Sequence, residues 1–327
     1  MNDARIMLVG DVGGTHARFA TVDVARPAPW RLENREDSAI HFASFEQALQ
    51  QYLDHAGFKQ VPAAATIAVA GPITAGQVRF TNRDWVVSEA ALRRAGCRTA
   101  LLINDFVALA FAVDTLQPAE LRTIGPEIAG MPDQPITILG AGTGFGVSCL
   151  ARYRDRIVPV ATEGGHIGFA PSDEQECAVL QVLLGRFGRV SVERLLSGPG
   201  LENLYQVLEQ IAGRAPAPLS AKDVTERALK GDAACGSALT MFCSVYGAVA
   251  GDFALAHGAR GGVYIAGGIA QKIEDFLQRS PFRARFESKG RLSGYVQPIP
   301  TKLITSDDAA LLGSARAGLA LQSATAP

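Results

Sequence analysis

The feature that most constrains this chain is a pattern it uses twice. The stretch "IMLVGDVGGTHARFATV" begins at Ile6, and "ITILGAGTGFGVSCLARY" begins about 130 residues later at Ile136. Each is a short strand-like run ending in glycine, then a turn of glycine and threonine, then a second run that alternates like a strand. Either copy alone reads as an ordinary β-hairpin, with glycine supplying backbone freedom. Their repetition points to a duplicated architecture, with one strand–turn–strand in each half.

Length agrees with two halves: 327 residues, at roughly 150 per domain, make two domains. Hydrophobic residues are 48% and charged residues 19%, enough apolar material for two large cores. A net charge of −1 and a pI near 6.5 do not suit a surface built to cover phosphodiester backbone, so no nucleic-acid partner is expected. Five cysteines, Cys97, Cys149, Cys177, Cys235 and Cys243, are scattered without a C-x-x-C pair, which fits neither a disulfide framework nor a zinc site. The longest uninterrupted apolar run, "FVALAFAV", has 8 residues, far short of a bilayer span, and no leader pattern stands behind Met1. The expectation is a cytoplasmic protein without a membrane partner.

Strand-like and helical stretches alternate, which predicts α/β layering. Ser44 and Gln47 form a capping box ahead of a helix with Phe45, Leu49, Tyr52, Leu53 and Ala56 on one face. "AATIAVAG" (64–71), "VRFTN" (78–82) and "TALLI" (99–103) read as strands, the last running into "NDF" and an apolar helix. "PEIAGMPDQP" (126–135) and "GRAPAPLS" (213–220) read as loops. "ALLGSARAGLAL", after "SDD", reads as a small-residue helix near the end.

Neither glycine turn is a familiar nucleotide fingerprint. In "GAGTGFG" the third glycine of G-x-G-x-x-G is replaced by Phe145, and the next residues, "VSCLARY", alternate like a strand instead of opening a helix. Neither turn carries G-K-[ST]. The remaining reading is an anion-binding nest, in which consecutive glycines leave backbone N–H groups uncovered and a threonine adds a hydroxyl. Two such turns could hold a polyphosphate from both sides, and Asp11 could organise a hydrated Mg²⁺ through water.

Carboxylates at strand ends supply the rest. Asn104 and Asp105 come directly after a buried strand, where α/β proteins place reactive groups; capping alone would account for one of the two. An aspartate there could accept the proton of an attacking hydroxyl. Glu163 and His166 flank two glycines in "EGGHIGFAP", a stretch too glycine-rich for a helix, and both side chains can bind vicinal hydroxyls. Glu193, in "SVERLLSGPG", falls in the first turn of an expected helix, where an acid is favoured anyway.

Taken in order, "GDVGGTHARFA", "LLINDF", "GAGTGFGV", "EGGHIGFAP", "SVERLLSGPGLENLY", "DVTERAL", "GGVYIAGGI" and "PFRARFESKGR" resemble bacterial ATP-dependent glucokinases, from Gly10 to about Gly313. The resemblance implies an actin-like ATPase (ribonuclease H-like) fold, α/β in class, with two α/β domains flanking a cleft. The small domain would be residues 1–109 completed by a C-terminal helix at 304–327, and the large domain 110–303. ATP and Mg²⁺ are the implied cofactors and glucose the implied substrate, with a homodimer as the assembly. Phosphate contacts carry over to Gly10, Asp11, Val12, Gly13, Gly14 and Thr15, and to Gly142, Thr143 and Gly144. Gly267 and Gly268 resemble the adenosine-side turn. Sugar contacts carry over to Asn104, Asp105, Glu163, His166 and Glu193, with Asp105 as the catalytic base acting on the 6-hydroxyl. His16 departs from the asparagine usual in the family, and the zinc-binding cysteine cluster of the related repressor/kinase group is absent. A kinase for another hexose (mannose, fructose or an amino sugar) and a non-catalytic sugar sensor are the alternatives.

Overall fold

A computed structural model describes residues 5–14, 16–39, 42–80, 84–153 and 156–323. The chain divides into two compact units, Met1–Glu120 with Ser306–Pro327, and Leu121–Thr305.

In the first unit the strands are β1 (Ile6–Val12), β2 (His16–Asp23), β3 (Glu33–Ala39), β4 (Ala64–Val69), β5 (Gln77–Arg79), β6 (Val86–Ser88) and β7 (Thr99–Asn104). The second unit has β8 (Leu121–Thr123), β9 (Ile136–Ala141), β10 (Phe145–Tyr153), β11 (Arg156–Thr162), β12 (Gly262–Ala266) and β13 (Thr301–Ile304). The first main sheet runs β3-β2-β1-β4-β7 and the second β11-β10-β9-β12-β13-β8. In each, an antiparallel three-strand meander continues into two parallel neighbours. The two sheets therefore share one order and one set of strand directions, and β8 is an added edge on the second. The sequence echo is the first hairpin of each copy.

The short run "IMLV" is apolar throughout because β1 is buried on both faces. Leu8 and Val12 pack with Phe45, Tyr52 and Ile67, while Met7 and Val9 pack with Leu311 and Ala315 of the Ala309–Ser323 helix. The Phe45–His55 helix is capped as the sequence predicts, Ser44 Oγ accepting from the Gln47 amide at 3.3 Å. Gln47, however, reaches back one residue further than a capping box, accepting from the Ala43 amide at 3.1 Å. Of the expected strand at 78–82, β5 covers only Gln77–Arg79, and residues 81–83 lie outside the described residues.

The C-terminal helix crosses the Asp105–Ala112 helix at a glycine. A Cβ built on Gly313 would sit 1.8 Å from the Ala108 carbonyl oxygen, so no larger residue fits without separating the helices. Gly313→Ala should cost about 1–3 kcal/mol by overpacking and should lower the thermal midpoint. An unchanged melting curve would contradict this close approach.

The second unit is organised around the 25-residue Ala233–His257 helix. By length and composition that helix could cross a membrane, but 67% of its most apolar window is buried inside the protein, as befits a core helix. Gly247 and Gly251 form its contact groove: a Cβ on Gly247 would lie 2.0 Å from the Phe282 carbonyl oxygen, and one on Gly251 2.4 Å from Lys289 Cε. Lys289 Nζ donates to the Ala248 carbonyl at 2.7 Å and to Asp252 at 2.6 Å. Arg283 donates to the Ile299 carbonyl at 2.8 Å and to Thr301 Oγ1 at 3.1 Å, tying this segment to β13. "PFRARFESKGR" is thus a clamp within the second unit.

Candidate active site

In the first unit the residues of interest gather at the C-terminal ends of parallel strands, where α/β sheets present ligand-binding groups. The Gly13 amide donates to the His16 carbonyl at 2.9 Å and closes the β1–β2 turn. Gly13 and Gly14 lie in the turn, and Thr15 lies outside the described residues. Gly10 sits further back, inside β1, and is closely packed: a Cβ would meet Ile67 Cδ1 at 2.7 Å, so that side chain would have to shift. The Val12 side chain is likewise in the core.

Asp11 and Arg18 pair across the hairpin, and the Arg18 guanidinium donates to the Asp11 carboxylate. Arg18 also donates to the Asp307 carbonyl at 2.7 Å, just before the C-terminal helix. Sequence reading misses Arg18, although hairpin symmetry names it: with 13 opposite 16, residue 11 falls opposite 18.

The structure separates the roles of Asn104 and Asp105. Asn104 Oδ1 accepts from the amides of Phe106 at 2.9 Å and Val107 at 3.3 Å, so Asn104 is the N-cap of the Asp105–Ala112 helix. The cap employs the oxygen, so the carboxamide nitrogen is the group that can donate to a ligand. Asp105 is not needed for capping. Its carboxyl is pushed up to about 7, mainly by burial and further by the negative charge of Asp11; the Phe106 amide, donating at 3.0 Å, pulls the other way. An acid held near neutrality at a strand end matches the need of a general base.

In the second unit the predicted residues converge on Phe145. The β9–β10 turn is closed by the Gly142 amide donating to the Gly144 carbonyl at 2.8 Å, and the Gly198 amide donates to the Gly142 carbonyl at 2.8 Å. Thr143 is exposed at its tip. Glu193 lies in a single 3-10 turn, Val192–Arg194, not in the first turn of a helix; the helix begins at Gly198, with Ser197 as its cap. Glu193 Oε2 accepts from the Phe145 amide at 2.8 Å. Gly144 leaves room for that carboxylate, since a Cβ would lie 2.6 Å from Oε2.

Glu163 and His166 are exposed on either side of the two glycines, in a tight turn where the His166 amide donates to the Glu163 carbonyl at 3.0 Å. The Glu163–His166 turn rests on the same strand start: a Cβ on Gly165 would lie 2.0 Å from the Phe145 carbonyl oxygen. Gly267, at φ +90, closes in on the end of β9, where a Cβ would lie 2.4 Å from the Ala141 carbonyl oxygen. Gly268 is next, the exposed first residue of a short helix. The glycine turn, the Glu163–His166 turn, Glu193 and the Gly267–Gly268 turn are therefore one neighbourhood.

Among the described residues no cluster of three His, Cys, Asp or Glu side chains could hold a metal ion. Asp11 and Asp105 nevertheless place two interacting carboxylates together with one guanidinium at Asp11, a hard-oxygen environment compatible with a cation that arrives on a nucleotide.

Comparison with known proteins places the fold and the family. The chain superimposes on a glucokinase from an Antarctic psychrotroph with a TM-score of 0.87 and 35% identity, over 95% of this chain and 98% of that one. A ROK-family glucokinase from Streptomyces griseus, solved in complex with glucose and AMPPNP, shares the fold with a TM-score of 0.63 and 19% identity, over 97% of this chain and 99% of that one. The fold is the actin-like ATPase fold in the form used by sugar kinases. At the level of sequence, a glucokinase from Caulobacter sp. (strain K31) is 50% identical over 317 residues, 96% of this chain and 95% of the relative. The profile of the family described as Glucokinase matches residues 8–321. The chain belongs to the glucokinase family, sugar kinases that phosphorylate glucose using ATP.

Proposed function

We propose that this chain transfers the γ-phosphoryl group of MgATP to the 6-hydroxyl of glucose, with Asp105 as general base. The division of labour at the end of β7 carries this reading. Asn104 satisfies the helix, and Asp105 keeps a carboxyl near pKa 7 that the fold itself does not require.

Asp105 accepts the hydroxyl proton as the sugar oxygen forms its bond to the γ-phosphorus, and the bond from that phosphorus to the β,γ-bridging oxygen breaks to release ADP. Backbone amides of the Gly13–Gly14 and Gly142–Gly144 turns, with Thr15 and Thr143, hold phosphate oxygens and stabilise charge as it moves. Gly267 and Gly268 form the adenosine side. Asn104, Glu163, His166 and Glu193 bind sugar hydroxyls and orient the 6-hydroxyl toward Asp105. Mg²⁺, held by Asp11 through water, would supply charge neutralisation on the phosphates. The family resemblance also implies a cytoplasmic homodimer, which sedimentation of the purified protein would test.

The direct test is ADP formation from MgATP, with and without glucose, in a coupled assay. Glucose-dependent turnover is expected. Turnover with mannose, fructose or an amino sugar but not glucose would move the assignment to another hexose, and silence across the panel would favour a sensor.

A further inference from the structure

We infer that Glu193 positions the nucleotide's phosphate turn in addition to its proposed sugar contact, its carboxylate bridging the two ligands through the Phe145 amide. The inference rests on the kinase reading above and deepens it.

Phe145 is the first residue of β10 and the last support of the glycine turn. Its amide donates to Glu193 Oε2 at 2.8 Å, and its carbonyl lies against Gly165 of the Glu163–His166 turn. The amides of Thr143 and Gly144 lie between this anchor and the Gly142–Gly144 closure, so their aim depends on both ends being fixed. Glu193 is itself braced: Ser197 Oγ donates to the Glu193 carbonyl at 2.8 Å and accepts from the Gly200 amide at 3.0 Å, joining it to a helix cap. At position 144 only glycine leaves the carboxylate this close to the turn.

Charge gives the effect a sign. A negative carboxylate beside a turn that binds phosphate is unfavourable for the nucleotide by its charge and favourable only by its acceptor. Charge serves the other side, where an ionised oxygen is the stronger acceptor for a sugar hydroxyl. The glutamine variant keeps the acceptor and drops the charge, whereas alanine removes both.

Binding of AMPPNP, measured calorimetrically without sugar on wild type, E193A, E193Q and G144A, separates the contributions. E193A should weaken AMPPNP about tenfold, the scale of one hydrogen bond to a charged group. E193Q should bind it as tightly as wild type or tighter, while its KM for glucose rises. G144A, whose Cβ displaces the carboxylate without removing it, should resemble E193A toward the nucleotide. Circular dichroism melts establish that each variant is folded. If E193A binds AMPPNP like wild type, or if E193Q fails to restore binding, the positioning role is overturned and the kinase reading stands. If wild type itself does not bind AMPPNP, the phosphate-turn reading fails, and this inference with it.

Discussion

Asp105→Asn is expected to lower kcat roughly 10²–10⁴-fold, the usual range for losing a general base, with a much smaller change in the KM for glucose. The substitution is close to isosteric. A carboxamide oxygen can still accept from the Phe106 amide, and the helix cap is untouched because it belongs to Asn104. Substrate should therefore still bind, and only the group that takes the hydroxyl proton disappears. Loose phosphoryl-transfer transition states ask less of a base than of positioning, which places the loss in this range and not higher. A coupled assay at pH 8 measures it. A loss below about tenfold would remove Asp105 from the role and leave it as one more sugar contact.

The residues at issue show how much a sequence can carry. The internal echo foretells two related hairpins, because a turn and its flanking strands are local. The shared sheet order cannot be read, since which strand lies beside which is set by contacts far apart in the chain. β3 is invisible for a different reason: "ENREDSA" lacks both apolar alternation and β-branched residues, and it forms an edge strand by pairing with β2. The long Ala233–His257 helix is obscured because it is apolar nearly all round, as a core helix is, which erases the amphipathic period.

At the site, "ND" at the end of a strand is conspicuous but indivisible. Either residue could be the cap, and only the hydrogen bonds assign that task to Asn104. Glu193 is inconspicuous in sequence because acids are common near helix starts. Its meaning comes from a partner 48 residues away, the Phe145 amide. Gly10 carries a second constraint that its motif does not announce: Ile67, 57 residues away in the chain, crowds the position where a Cβ would stand.

The raised carboxyl of Asp105 makes pH dependence the second large expected effect. Protonated Asp105 cannot accept the hydroxyl proton, so kcat/KM should fall about tenfold per unit below about pH 7 and reach roughly 1% of its plateau by pH 5. Burial is the larger cause and Asp11 the smaller, so Asp11→Asn should move this acid limb to lower pH by only part of the total shift. Stability must run the opposite way. The folded protein holds the Asp105 proton up to about pH 7, whereas the unfolded chain releases it near the ordinary value of about 3.9. The contribution of this residue to stability is therefore full below about pH 4 and is lost as pH rises through 7. Asn has no proton to lose. Asp105→Asn should consequently be the more stable protein at pH 8, by on the order of 2–4 kcal/mol, and should lose that advantage near pH 4. Thermal melts of the two proteins across this range test the sign directly. A variant less stable than wild type at pH 8 would show that the carboxylate is held comfortably, and the acid limb near pH 7 would then need another owner. Activity and stability trading places at one carboxylate is the behaviour expected of a group retained for chemistry at a cost to the fold.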